Sequence, residues 1–142
     1  MIQAATLNGK YLKILKVTDL LLYDVSVWIR KDEKHIGVTN ELILENLVRA
    51  DKLEVPIFIG VPVVPDANFA GEEDFKKLAN FLSRLNNVVH VDFLPYHTLG
   101  EAKSRRLGKP FIRFKEPDEN FIKRFRGILE DVGLKTSVSE LP

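Results

Sequence analysis

Val55-Pro56-Ile57-Phe58-Ile59-Gly60-Val61-Pro62-Val63-Val64 is a run of Val, Ile and Phe that does not alternate cleanly with polar residues, as expected of a strand covered on both faces. The runs Val17–Val25 upstream and Val88–Leu94 downstream have the same character. Segments of helical period lie between and after them: Leu42, Leu44, Leu47 and Val48; then Phe75, Leu78, Ala79 and Leu82; then Phe121, Ile122, Phe125, Ile128, Leu129 and Val132. Thr39-Asn40 offers caps for the first helix, and Glu72, Glu73 and Asp74 after Gly71 suit the first turn of the second. The third starts near Pro117 and stops at Gly133, Pro and Gly standing at the ends each favours. A short strand at Leu134–Val138 follows, and Ile2–Thr6 reads as a further strand leading through Asn8-Gly9 into a short helix around Tyr11–Lys16.

The order β-α-β-α-β-loop-α predicts an α/β fold: part of a wound sheet or, as the reading preferred here, a partial (β/α) barrel with three to four parallel strands and covering helices. A complete barrel takes about eight strands, so exposed sheet edges that something else must cover are expected. The length of 142 residues suits one domain, and no internal repeat, low-complexity tract or linker divides residues 1–142.

Lysine and arginine total 21 against 20 aspartates and glutamates, and a net charge of +1 gives no long-range attraction to nucleic acid or anionic lipid. Lys103–Lys115 interleaves basic residues with Phe111 and Phe114, but no nucleic-acid-binding motif accompanies it, and a solvated loop is the reading preferred. The absence of cysteine excludes disulfides, thiolate zinc sites and iron–sulfur ligation by these residues. No leader pattern or membrane-length apolar run is present, which gives a cytoplasmic protein without a membrane partner as the expectation. High charge with a single glutamine, Gln3, leans towards a heat-adapted source.

Ligands of parallel α/β folds collect beyond the carboxyl ends of the strands, which directs attention to Tyr23-Asp24, Val61–Asp66 and Leu94–Gly100. Asp24 can coordinate a cation or bind an amine, or can cap a neighbouring loop. His97 can contact a ligand through a ring nitrogen, or can be a hydrogen-bonded loop histidine. His35 and His90 lack partners at metal-ligand spacing and read as structural or exposed. No phosphate loop, nucleophile elbow or H-E-x-x-H helix occurs.

Taken in order, these segments resemble the C-terminal half of the radical S-adenosylmethionine activating enzymes typified by pyruvate formate-lyase activating enzyme. Val17–Asp24 looks like that family's strand leading into D-x-K, and Gly37-Val38-Thr39-Asn40 with the following helix looks like its TGVSN segment. Val61–Pro65 is similar to V-x-x-V-P-G, and Leu94-Pro95-Tyr96-His97-Thr98-Leu99-Gly100-Glu101-Ala102-Lys103 to L-L-P-Y-H-x-L-G-x-x-K. The likeness runs from about Asn8 to Val138. It implies that Asp24 and His97 lie beside S-adenosylmethionine and an associated monovalent cation, and that the cluster motif C-x-x-x-C-x-x-C belongs to an N-terminal half outside these residues.

The chain departs from the family pattern at several cofactor positions. Ser26 stands at the lysine of D-x-K, Thr6 and Leu7 precede Asn8-Gly9 where D-T is expected, Gly60 stands at an arginine, and Asp66 at the glycine after V-P. The resemblance therefore implies a family member that is catalytically incomplete alone, with S-adenosylmethionine as the possible cofactor and no iron–sulfur cluster. Three functional expectations follow: one half of a split activase, completed by a separate cysteine-bearing half; a non-catalytic binding or scaffold protein acting through self-association as a homo-oligomer or through docking; or a relic without a selected role.

Overall fold

The computed structural model describes residues 13–25, 40–64, 72–95, 104–110 and 116–139. Expectations for Ile2–Thr6, the Tyr11 end of the first short helix, Ser26, Thr39, Asp66, His97, Lys103 and residues 111–115 lie outside them.

Among the described residues strands and longer helices alternate: β1 (Leu21–Asp24), α1 (Asn40–Asp51), β2 (Ile57–Val63), α2 (Glu72–Ser83), β3 (Val88–Pro95), α3 (Glu119–Asp131) and β4 (Thr136–Val138). The strands form one sheet in the order β1-β2-β3-β4, every neighbouring pair parallel. Strands that follow one another in space as in sequence, with helices against one face, form a sector of a (β/α) barrel rather than a wound sheet with a switch point. The expected partial barrel is the observed fold.

Period-two alternation gives the sheet two unlike faces. Leu21 and Tyr23 of β1, Ile57, Ile59, Val61 and Val63 of β2, and Val91 and Phe93 of β3 are buried and share one core with Ile43, Leu47, Phe75, Leu78, Leu82, Ile122, Phe125 and Leu129 of the helices. Leu22, Asp24, Phe58, Gly60, Pro62, His90, Asp92 and Leu94 take the alternate positions, on the open face that would line the interior of a closed barrel. Leu22 remains 50% exposed there and Phe58 36%.

Pro62 lies inside β2, where a missing N–H would ordinarily break a ladder. The pairing shows why it is tolerated. Gly60 presents its carbonyl to β1, accepting from Val25 N at 2.8 Å, so the even residues of β2 turn their backbone groups towards β1. Among the described residues the β1 register runs to Asp24 opposite Gly60, two residues short of Pro62, so no described β1 pair calls on the missing N–H.

Two sequence-based expectations shift. The strand expected from Val17 begins at Leu21, because Val17 N and Thr18 N still bond back to Ile14 O and Leu15 O at 3.1 and 3.2 Å in a helical turn. The core face of α1 is Ile43, Leu47 and Ala50 rather than Leu42, Leu44, Leu47 and Val48; Leu42 is 36% exposed. The face expected for α2 is buried throughout. At α3, Asp118 caps the first turn by accepting from Phe121 N at 2.7 Å. Gly133, at φ +89°, closes the helix with Gly133 N→Glu130 O and Leu134 N→Leu129 O bonds of 2.9 and 3.2 Å, the paired bonds of a Schellman ending.

Candidate functional site

Asp24 is the last residue of β1, at the carboxyl end of the sheet and on the open face. Its backbone is held from both sides. The buried phenol of Tyr23 donates to Ile43 O of α1 at 2.6 Å, and Val25 N binds Gly60 O of β2. Burial pushes the Tyr23 phenol far above its ordinary range, so it remains a neutral anchor between strand and helix.

The register places Gly60 opposite Asp24 on one side and opposite Asp92 on the other, with Ser137 next beyond Asp92. One level of the open face therefore reads Asp24, Gly60, Asp92, Ser137 across the four described strands. The Asp24 carboxylate lies over Gly60, its Oδ1 in the space a side chain there would take. Asp92 is clamped: Ser137 Oγ donates to its Oδ1 at 2.6 Å, and Ser139 Oγ donates to its Oδ2. His90 Nε2 meets Ser137 Oγ at 2.7 Å, and its ring lies 5.3 Å from Phe58.

Histidine, serine and aspartate here do not form a nucleophilic triad. The serine proton is directed at the carboxylate, leaving Nε2–H of the imidazole to donate to the serine oxygen, so no base is positioned to activate the hydroxyl. The network fastens the short edge strand β4 to β3. His90, expected to be structural or exposed, is a structural, half-buried residue. The sequence reading missed Asp92, Ser137 and Ser139; the signal available was the i, i+2 spacing of His90 with Asp92 and of Ser137 with Ser139 on neighbouring strands.

Burial also raises the carboxyl pKa of Asp24 above its ordinary value. The folded state then takes up the proton more readily than the unfolded state. The stability this contributes is fully present below the unfolded pKa and is lost as pH rises through the raised folded value. Asp24→Asn, neutral throughout, is therefore expected to melt at a higher temperature than wild type at neutral pH, with the difference shrinking in acid below the ordinary carboxylate range. Thermal melts at both pH values check this, and an unchanged difference would place its cause elsewhere.

A separate cleft of about 300 Å³ opens on the helix side, where Pro95 and Val138 at the strand ends meet Pro117, Ile122 and Arg126. It does not contain Asp24. The Arg126 guanidinium there is committed to Thr136 Oγ1 at 3.1 Å and Glu130 Oε1 at 3.6 Å. Among the described residues no three acidic or histidine side chains converge as a metal-ligand set, and no helix is long and apolar enough to cross a membrane. His97 lies outside the described residues, so of the two residues singled out in the sequence Asp24 is the one whose surroundings are known.

A helix-backed parallel sheet with strand-end polar residues on its open face defines a sector of a (β/α) barrel. The comparisons with known proteins carry this to a family. The trans-4-hydroxy-L-proline dehydratase activating enzyme of Clostridioides difficile is 30% identical over 137 residues, covering 92% of this chain and 44% of its own length. The pyruvate formate-lyase-activating enzyme of Streptococcus mutans is 38% identical over 104 residues, covering 72% of this chain and 39% of its own. A solved domain of pyruvate-formate lyase-activating enzyme from Bacteroides vulgatus superposes with a TM-score of 0.75 at 26% identity, covering 94% of this chain and 75% of that one. No family model matches the chain. The chain is a relative of the pyruvate formate-lyase activating enzymes and corresponds to their C-terminal half. It spans less than half the length of the two curated relatives described.

Proposed function

We propose that this chain forms the S-adenosylmethionine-facing side of a glycyl-radical activating enzyme and is catalytically incomplete by itself. The observation that supports this reading is the Asp24 carboxylate, half-buried at the carboxyl end of β1 on the open face. A carboxylate there suits a cationic or hydroxyl-rich ligand such as S-adenosylmethionine. The residues of this chain do not fit an iron–sulfur cluster: the sequence contains no cysteine, and no other side chain offers equivalent soft ligands. The cluster thiolates would come from polypeptide outside these 142 residues, seated against the open face where Leu22 and Phe58 are exposed.

The test is calorimetric titration of the purified chain with S-adenosylmethionine, repeated with Asp24→Ala and His97→Ala. Saturable binding by wild type is expected, weakened in each variant by about one to two decades, the equivalent of a charge-assisted contact worth about 1.5–3 kcal/mol. A second reading, a non-catalytic scaffold that buries the open face against another copy or a docking partner, is favoured by those same exposed apolar residues and by Gly60 and Ser26 at positions where the family resemblance leads one to expect cations. Absence of binding by wild type at millimolar ligand would move the weight to this reading, to a relic, or to a site completed only by the cysteine-bearing polypeptide.

A further inference from the structure

The charges carried by the sheet are of one sign. In the four described strands aspartate, glutamate, lysine and arginine occur at two positions, Asp24 and Asp92, and both are acidic. Both lie on the open face and on one level, opposite Gly60 from either side. Among the described residues no hydrogen bond or ion pair reaches the Asp24 carboxylate, and the donors to Asp92 are the neutral hydroxyls of Ser137 and Ser139. His90, the remaining titratable side chain of that face, meets Ser137 rather than either carboxylate. The two serines, one on each oxygen, also fix the direction of Asp92, so this anion cannot turn aside from a ligand as a free side chain could.

We propose that the ligand preferred by this face is an adenosyl sulfonium without a carboxylate, one that carries an amine arm where S-adenosylmethionine carries its amino-acid tail. The inference rests on the S-adenosylmethionine reading for the adenosyl group and on the charges of the sheet for the tail. Neighbouring strands are about 4.8 Å apart, so Asp24 and Asp92, with β2 between them, stand roughly 10 Å apart at the backbone. The Asp24 carboxylate leans over Gly60 and shortens that gap. A ligand lying across β2 therefore meets both anions. Sulfonium and ammonium groups are attracted by both, whereas a tail carboxylate is repelled by both and finds no base on the described strands to offset this. Beside a helix-backed sheet such contacts are stronger than in bulk water. Discrimination of this kind comes from the penalty on the rejected group as much as from attraction of the accepted one.

The experiment titrates the full chain calorimetrically with S-adenosylmethionine, with its decarboxylated form, and with S-adenosylhomocysteine, which keeps the carboxylate but has a neutral sulfur. The decarboxylated form is expected to bind about tenfold more tightly than S-adenosylmethionine, and S-adenosylhomocysteine about tenfold more weakly. Asp92→Asn keeps the shape, and its amide can accept from one serine and donate to the other, so the variant is expected to fold with β4 in place. In it the preference for the decarboxylated form should fall to about threefold or less, with Asp24→Asn acting in the same direction. S-Adenosylmethionine binding as tightly as the decarboxylated form, or more tightly, overturns the proposal and leaves the S-adenosylmethionine reading standing. A preference unchanged in both variants also overturns it, since its source would then lie outside the two carboxylates. If none of the three compounds binds, the S-adenosylmethionine reading fails and the proposal falls with it.

Discussion

Phe75→Ala is expected to lower the unfolding free energy by about 4 kcal/mol, at the centre of the range of about 3–5 kcal/mol for truncating a buried phenylalanine. Phe75 is fully buried and ties together three elements. From α2 it stacks on Phe125 of α3, with centroids 3.6 Å apart and planes at 14°, and it faces Phe93 of β3 at 6.2 Å. Phe121 adds an edge-on contact to Phe125 at 4.3 Å. Removing the ring opens a cavity between two helices and the sheet, which cannot close without moving one of them. For a domain of this size the loss corresponds to a fall in Tm of roughly 10–15 °C. Phe75→Leu, which retains most of the volume, should lose about 1.5 kcal/mol. Urea unfolding of both variants checks the order, and a loss under about 1 kcal/mol for the alanine would mean the stack contributes little beyond ordinary contact.

The same cluster shows why some elements were legible in the sequence. In α2 the apolar residues Phe75, Leu78, Ala79 and Leu82 form one stripe, so periodicity had a single solution. In α1 apolar residues occupy 42, 43, 44, 47 and 48, a wide arc compatible with more than one facing, and packing against β1 and β2 selected the side centred on Ile43 and Leu47. Val17 looked like a strand residue by type, yet the preceding helical turn still held its backbone, information carried by hydrogen bonds rather than by composition.

Site geometry was legible only where one segment contained it. Asp24 could be singled out because a carboxylate ending an apolar strand is visible locally. Its contact with Gly60 depends on the register between β1 and β2, and no local pattern encodes that. Ser137, the partner of Asp92 and His90, lies 45 and 47 residues further along the chain, and a serine in a three-residue strand carries no signal until the sheet aligns it.

Asp51→Ala is expected to cost about 3 kcal/mol, and its importance lies in what Asp51 fixes. Asp51 ends α1, is 7% exposed, and accepts from the backbone N–H groups of Asn86 and Asn87 at 3.1 and 2.7 Å, while the Asn87 side-chain amide donates to its carbonyl at 2.7 Å. Bonds to a charged acceptor are worth about 1.5–3 kcal/mol each, and partial access of water to the freed amides keeps the total below their sum. Asn87 O in turn accepts from Ile57 N at 2.8 Å, so this clamp sets where β3 begins to pair with β2. Directly beyond it the register jumps: Ile57 pairs with Val88, but Phe58 pairs with His90, leaving Val89 bulged and 44% exposed. Without that extra residue every later side chain of β3 would change faces, sending His90 and Asp92 into the apolar core and Val91 and Phe93 to the open face. The clamp thus stabilises the one alignment that sets Asp92 across Gly60 from Asp24. Asp51→Asn, keeping one acceptor oxygen, should lose about half as much. Amide hydrogen exchange should accelerate at Ile57 and His90 in Asp51→Ala well before global unfolding. Protection there equal to wild type would show that the strands hold their register without the clamp.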